Sequence, residues 1–394
     1  MFKIFISVGT NPIPCFISGL YLLDCYARKP ELELILLCSK EDKTINQAGT
    51  CSIGERIKEQ IEKQDTKYPE SPKIKLLEIE DVASEQSIVK ALRGSYTESD
   101  EIHFNYTGGT KSMVAITYSI LKDQENFSSS YMDVHRHAMI VDVDPTVSKD
   151  LRENPKLRLD LQTIASLHGV DDIKYKNYLK DAYLPLFNYV TEKLQNEENK
   201  EVYKSIKAFK KSSCSEESKD EIIARLEELI KESGLDQNKG TRKEAAKFID
   251  GLWLEYYIYE ELKNNDKNIK FYHDVKKEME KEKEKEKEKG KDTQFQIDVI
   301  ATYGYQLTLI SITTDNTKSL CKLKLFEAYF RAHQLGGDAA KIVMVTFLIK
   351  SQVIELKEDI RRLIGSTSSN IEVIGIEEFY DHSFHNKILS HITR

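Results

Sequence analysis

Two sets of residues in this chain have the types and the spacing to do chemistry. The first is a pair of turns, Ser7-Val8-Gly9-Thr10-Asn11-Pro12 and Asn105-Tyr106-Thr107-Gly108-Gly109-Thr110-Lys111-Ser112, each directly after a short apolar run. Glycines at such places let the backbone approach a ligand closely, and the amides that open the next helix favour anionic groups. Lys111 adds a mobile cation. Thr110 precedes that lysine where a Walker A loop needs Gly, and Gly9-Thr10-Asn11 does not supply a GxGxxG turn, so the pair suits phosphate without being either common nucleotide loop. The second set lies towards the other end. Asp298 interrupts the apolar run 295–300, Glu255 sits in the aromatic-rich stretch 251–262, and Lys324, Glu327 and Arg331 recur at spacings of three and four. Carboxylates gathered beside a lysine suit phosphodiester hydrolysis: they hold a divalent metal that activates water, while the ammonium meets developing charge. An acidic residue inside an apolar strand is costly to bury without a partner, which makes Asp298 the firmest member of the set.

The elements that must position the first set alternate between strand and helix. Apolar runs at 2–8, 32–38, 74–79 and 102–106 predict strands, with amphipathic stretches at 14–27, 52–63, 84–92 and 112–121 between them and a hairpin at 130–134 and 138–143. Nearly continuous apolar strands suit a parallel sheet covered on both faces, and such sheets bind ligands outside the carboxyl ends of their strands. From 171 to 250 the composition shifts to Lys, Glu and Asn with helical spacing, as in the stripe Ile222, Ile223, Leu226, Leu229 and Ile230. Strands and helices mix again from 251. Within that last part, run 276–292 alternates Glu and Lys with no apolar face and reads as a loop. A helix over 318–335 is expected to bury Leu320, Leu323, Phe326 and Phe330, with Lys324, Glu327 and Arg331 along the border. The expected organisation is a Rossmann-like α/β domain over 1–150, a helical connector over 151–250 and a second α/β domain over 251–394.

Composition narrows the function classes. The chain has 394 residues, a formal net charge of −7, 40% apolar and 31% charged residues, enough apolar content for two cores under a charged surface. An acidic balance argues against coating nucleic acid by bulk charge and leaves room for a local basic groove. No apolar run is long enough to span a bilayer, and MFKIFISVGTNP reads as a strand rather than a signal peptide, so no membrane partner is expected and the cytoplasm is the expected compartment. The six cysteines form no CxxC pair and read as buried, reduced thiols. His135 and His137 flank Arg136 at an expected solvent-facing hairpin tip, and the tyrosines of 251–262 read as core before they read as base-stacking platforms.

The segment EIHFNYTGGTKSM resembles the strand–TGGTK–helix signature of CARF domains, the cyclic-oligoadenylate sensors of type III CRISPR effectors, and ISVGTNP is similar to the family's first strand and polar turn. The resemblance covers 1–143. It implies a homodimer whose paired turns line a two-fold pocket for a ring of adenylates, most readily cyclic tetra-adenylate. On this sequence that pocket involves Gly9, Thr10, Asn11, Ser39, Lys40, Thr107, Gly108, Gly109, Thr110 and Lys111. The C-terminal part resembles the PD-(D/E)XK nuclease domain of the same effectors, a restriction-endonuclease-like fold that pairs a GxWxE helix with an IDV strand and a strand ending in ECK. Glu255 and Asp298 match residue for residue, whereas Ser311 and Thr313 stand where Glu and Lys are expected. Three readings stay open. The missing pair has migrated to Glu327 and Lys324; or Ser311 and Thr313 complete a weaker shell with water; or the domain binds without cutting. The resemblance implies a nuclease for DNA or RNA that needs Mn²⁺ or Mg²⁺, with Asp298 and Glu255 as metal ligands; in the migrated reading Glu327 joins them as a ligand and Lys324 is the catalytic cation. The alternative is an inactive ligand-gated binding or regulatory protein.

Overall fold

Each apolar run ends in turn formers, and the backbone follows that punctuation. The computed structural model describes residues 1–41, 48–64, 72–142, 147–194, 221–278, 293–380 and 383–394. The chain forms two compact units. The first comprises Met1–Asp171 with two later returns, Thr302–Leu307 and His333–Ala340; the second comprises Asp172–Ala301, Thr308–Ala332 and Lys341–Arg394.

In the first unit, strands β1 (Phe2–Ser7), β2 (Leu32–Ser39), β3 (Lys73–Ile79), β4 (Glu101–Asn105), β5 (Phe127–Asp133) and β6 (Ala138–Val141) form one sheet in the order β3-β2-β1-β4-β5-β6. All neighbours are parallel except β5 and β6, which close the edge as a hairpin. Helices α1 (Pro12–Cys25), α2 (Cys51–Glu62), α3 (Glu85–Leu92) and α4 (Lys111–Leu121) connect the strands, and α5 (Leu161–Leu167) follows. Phe5, Ile35, Leu37, Ile102 and Phe104 bury one face of the sheet against Ile88 and Leu92 of α3 and Met113 and Leu121 of α4. The expected α/β class and the parallel sheet are both present. Strand order reverses between β1 and β4, which makes their carboxyl ends the topological switch point of the sheet.

His137 corrects one expectation. It is 6% exposed with φ +50°, and its Nδ1 lies 3.2 Å from the Tyr305 hydroxyl within the same unit. A residue 168 positions away in the chain covers the hairpin tip, which local polarity does not reveal.

The second unit holds α6 (Leu184–Leu194), α7 (Glu221–Glu232), α8 (Lys239–Lys247), a π-helical turn at Phe248–Leu252 and α9 (Trp253–Leu262). Its sheet runs β12-β11-β10-β9-β8-β7, from β7 (Ile173–Lys174), β8 (Ile269–Glu278), β9 (Thr293–Tyr303), β10 (Gln306–Ile312), β11 (Lys341–Val345) and β12 (Ile371–Ile374). Helices α10 (Lys318–Gly336), α11 (Lys350–Ile364), α12 (Glu377–Tyr380) and α13 (Phe384–Thr393) complete it. Trp253, Leu254 and Ile258 bury α9, and Tyr257 and Tyr259 join the core as expected. Residues 276–278, expected in a loop, extend β8, while 279–292 lie outside the described residues.

The face of α10 is a second correction. Leu320, Leu323 and Phe330 are exposed at 46%, 66% and 70%, whereas Cys321, Leu325, Ala328, Ala332 and Leu335 are buried. Small side chains let the helix pack closely, as the 3.0 Å approach of Cys321 Sγ to Thr346 Oγ1 shows. Apolar residues lie on both sides of this helix, so periodicity alone points to the wrong face. Cys15, Cys38 and Cys321 are buried as expected, whereas Cys25 is exposed and Cys51 half-buried, all as free thiols; Cys214 lies outside the described residues. Among the described residues no helix is long and apolar enough to cross a membrane.

Candidate functional site

The two turns of the first set meet at the switch point. A Cβ on Gly9 would lie 3.1 Å from the Gly109 amide nitrogen, and one on Gly108 would lie 2.6 Å from the Gly9 nitrogen, the Ser7 carbonyl and Cys15 Sγ. Gly109 adopts φ +86°, a left-handed conformation that favours glycine. Ser7 Oγ clamps the second turn by donating to the Gly108 carbonyl at 2.6 Å. Both turns end as helix caps: Asn11 Oδ1 accepts the Ile13 amide at the start of α1, and Thr110 Oγ1 accepts the Met113 amide at the start of α4. Two helix N-termini thus open beside the touching glycine turns, with Lys111 exposed in the first turn of α4.

The remaining members of the set differ in what their side chains are free to do. Thr10, Gly109 and Thr110 are exposed, and Gly9, Asn11 and Gly108 partly so. Thr107 turns its hydroxyl inward to accept the Met132 amide at 2.8 Å. Ser39 is buried, with its nitrogen and Oγ both on the Thr50 hydroxyl. Lys40 pairs with Glu78 at 3.3 Å. Beneath the second turn, Asn105 donates to Ser130 Oγ at 3.0 Å and accepts the Thr107 amide, while His103 bonds Ser128 and Ser130. Burial lowers the His103 pKa to about 4, so it is neutral at pH 7.

The second set converges on a cavity of about 150 Å³ lined by Glu255 of α9, Gln296 and Asp298 of β9, Ser311 of β10 and Lys324, Glu327 and Arg331 of α10. Asp298 Oδ2 accepts the Ile312 amide at 2.6 Å. Burial pushes its carboxyl up to about 6, against the pull of that amide and of Lys324. Glu255 is held well above the usual carboxylate range, by burial first and then by Asp298 and Asp274, with Lys324 and Lys276 opposing. Lys324 Nζ donates to Thr313 Oγ1 at 2.8 Å and lies 3.7 Å from Asp315, so the ammonium reaches the strand position where the expected lysine is absent. Among the described residues Glu327 has no ion-pair partner.

An all-carboxylate donor set suits a hard divalent cation such as Mg²⁺ or Mn²⁺ rather than a thiophilic metal. Asp298 and Glu255 fit such an ion, since both are raised by burial and then by neighbouring carboxylates, Asp298 by Asp274 and Glu327 and Glu255 by Asp298 and Asp274, a cost that a cation relieves. Among the described residues no group of three or more His, Cys, Asp or Glu is arranged to hold a metal.

Sequence reading missed four residues around these sites. Asp274 takes φ +50° within β8, accepts Gln296 Nε2 at 2.9 Å and pairs with Lys276 at 2.8 Å. It lies in a charged run with no local mark. Asp315 accepts Thr313 Oγ1 at 3.0 Å and steadies Lys324. Gln296 shares the open face of β9 with Asp298 at strand spacing, a signal that was available. Asn105, a polar residue closing an apolar strand, was equally legible.

Residues 242–378 match the family described as Card1-like, endonuclease domain. The fold is similar to that of protein VC1899 from Vibrio cholerae, with a TM-score of 0.68 and 14% identity over 99% of this chain and 98% of that one. It is also similar to Can2 from Sulfobacillus thermosulfidooxidans, solved in complex with cyclic tetra-adenylate, with a TM-score of 0.63 and 14% identity over 100% of this chain and 99% of that one. No curated protein matches the chain. The resemblance read from TGGTK and from the IDV strand therefore holds: the chain carries a Card1-like endonuclease domain over residues 242–378, within a fold it shares end to end with Can2.

Proposed function

We propose that this protein is a cyclic oligoadenylate-activated, metal-dependent nuclease of type III CRISPR defence, acting in the cytoplasm as a homodimer with a PD-(D/E)XK-like site. One observation carries the reading: Lys324 reaches Thr313 from α10, and Glu327 lines the same cavity as Asp298 and Glu255, which favours the migrated site over the other two. The endonuclease match supports the reaction class, and likeness to a fold solved with cyclic tetra-adenylate supports the activator.

Asp298, Glu255 and Glu327 would hold Mg²⁺ or Mn²⁺, which when bound lowers the pKa of water and polarises the phosphoryl oxygen. Asp298 is pre-aimed by the Ile312 amide, so little reorganisation is needed at the moment of reaction. Lys324 faces the negative charge that develops on the phosphoryl oxygens, held in place by Thr313 and Asp315. At the cradle, the amides of the two turns and Lys111 receive phosphates of the ring. Two copies related by a two-fold axis present the same turns to a symmetric ligand. The ring shifts the nuclease only so far as it binds the cutting arrangement more tightly than the resting one.

Ser311 and Thr313, standing where Glu and Lys are expected, favour the second reading, a ligand-gated protein that binds without cutting. Labelled single- and double-stranded DNA and RNA, incubated with and without Mn²⁺ or Mg²⁺ and cyclic tetra- or hexa-adenylate, separate the two. Cleavage that requires both ring and metal and disappears in Asp298→Ala and in Glu327→Ala is the expected result. Tight ring binding with intact substrates under every condition would leave the second reading.

A further inference from the structure

Glu255, Ile312 and Lys324 line a second, larger cavity as well as the first, so the two adjoin across the carboxylate site. The smaller, about 150 Å³, extends past Asp298 to Gln296 and Arg331. The larger, about 730 Å³, extends past Thr313 and Thr314 to Lys247. Each therefore reaches a cation two helical turns from the reacting groups on its own helical segment. Arg331 follows Lys324 by seven residues along α10, about 10 Å of axial rise, and Lys247 precedes Glu255 by eight residues through the π turn, about 12 Å. Both distances are long enough to separate phosphates of one strand.

The two cations differ in setting. The Arg331 guanidinium lies over the Phe295 ring at 5.4 Å, which holds its planar group at the mouth of the smaller cavity. Lys247 is exposed and has no ion-pair partner among the described residues. Asp250 and Asp315 also line the larger cavity, and Asp315 is already matched by Lys324 and Thr313.

We propose that the joined cavities form one trough for a single nucleic-acid backbone, with Lys324 at the scissile phosphate and Arg331 and Lys247 each holding a further phosphodiester on its own side of it. This rests on the nuclease reading of the site and adds the path of the substrate. A backbone grip is blind to sequence and acts on DNA and RNA alike.

The test uses full-length protein carrying Asp298→Asn, so that binding is read without cutting, and a fluorescent 15-nucleotide single-stranded DNA, the matching RNA and a duplex as probes. Anisotropy titrations between 50 and 200 mM KCl should show Arg331→Ala and Lys247→Ala each weakening binding several-fold and lowering the salt slope by about 0.7, the value for one phosphate contact on a single strand. Arg331→Lys should keep the slope, which separates charge from packing on Phe295. Single methylphosphonates stepped along the DNA should weaken binding at two separate positions that flank the scissile phosphate, and the Arg331→Ala variant should lose one of those two penalties. Unchanged slopes and an unchanged methylphosphonate profile in both alanine variants would overturn the trough, even if the wild-type protein cuts. The expected slopes in a protein that never cuts would instead retain the trough and overturn the nuclease reading.

Discussion

The ligand cradle and the carboxylate site are built in opposite ways. In the cradle nearly every contributing residue belongs to two short segments, 7–12 and 105–112, and the local chain does the work: glycine conformation, two helix caps and one serine clamp. At the carboxylate site four elements far apart in sequence each contribute one to four side chains, and Lys324 reaches Thr313 from a helix. A site made of backbone tolerates few substitutions and announces itself in sequence. A site made of side chains can move its groups between elements, provided that charge arrives at the same point in space.

That comparison is broken most sharply at Asp298. Asp298→Asn should lower ring-activated cleavage at least about a thousandfold, the size of losing roughly 4 kcal/mol of transition-state stabilisation, while ring binding is unchanged. The same variant carries a stability signature. The folded chain keeps the Asp298 proton up to about pH 6, above the usual 3.8, so wild-type stability should fall as pH rises between those values and level off above. Asp298→Asn should flatten that fall and so raise stability over wild type more at pH 7 than at pH 4, read by urea titration at pH 4, 5, 6 and 7. Cleavage itself should rise through about pH 6 as Asp298 loses its proton, with higher Mn²⁺ moving the midpoint down.

Lys324→Ala should cost about a hundredfold in turnover with little change in substrate KM, because its charge is used as the phosphorus centre reacts. A Thr313→Lys, Lys324→Ala double variant sharpens the point. If charge at one place is what matters, returning a lysine to the strand should recover part of the loss; no recovery would tie the function to the helix itself.

On the cradle side, Gly337 tests how tightly the backbone is specified. It has φ +66°, and a Cβ there would lie 2.5 Å from Asn11 Nδ2. Gly337→Ala should destabilise the first unit by about 1–3 kcal/mol, and Asn11→Ala should absorb part of that loss in a double-mutant cycle, since the clash goes and the backbone strain stays. Gly337 directly follows α10, which bears Lys324 and Glu327, so the same pair of variants should also shift the ring concentration needed for half-maximal cleavage. The smallest effect is expected at Leu323, 66% exposed: Leu323→Asn should change stability by under about 0.5 kcal/mol, whereas the face expected from periodicity would have made it a core deletion of several kcal/mol.

The residues of the first unit made its fold legible. Continuous apolar runs bounded by Gly, Pro and Asn placed β1 to β4 and α1 to α4 within one to two residues of where they lie, because a strand buried on both faces has no freedom to be polar. Glu255 and Asp298 were legible for a related reason, a charge where burial forbids one without purpose. What the chain alone did not decide was whatever depends on a distant partner. The buried face of α10 was set by the small residues Cys321, Ala328 and Ala332 packing closely, not by its largest apolar side chains. His137 was buried by Tyr305 from another part of the sequence. Asp274 entered the site through a left-handed residue in β8 that no local composition signals. The two glycine turns are each written in the sequence; their contact is not, because it exists only where β1 and β4 become neighbours and the strand order reverses. Local chemistry therefore determined which residues can bind phosphate and carry charge, and tertiary structure alone decided which of them meet, since burial and close approach are properties of neighbours in space.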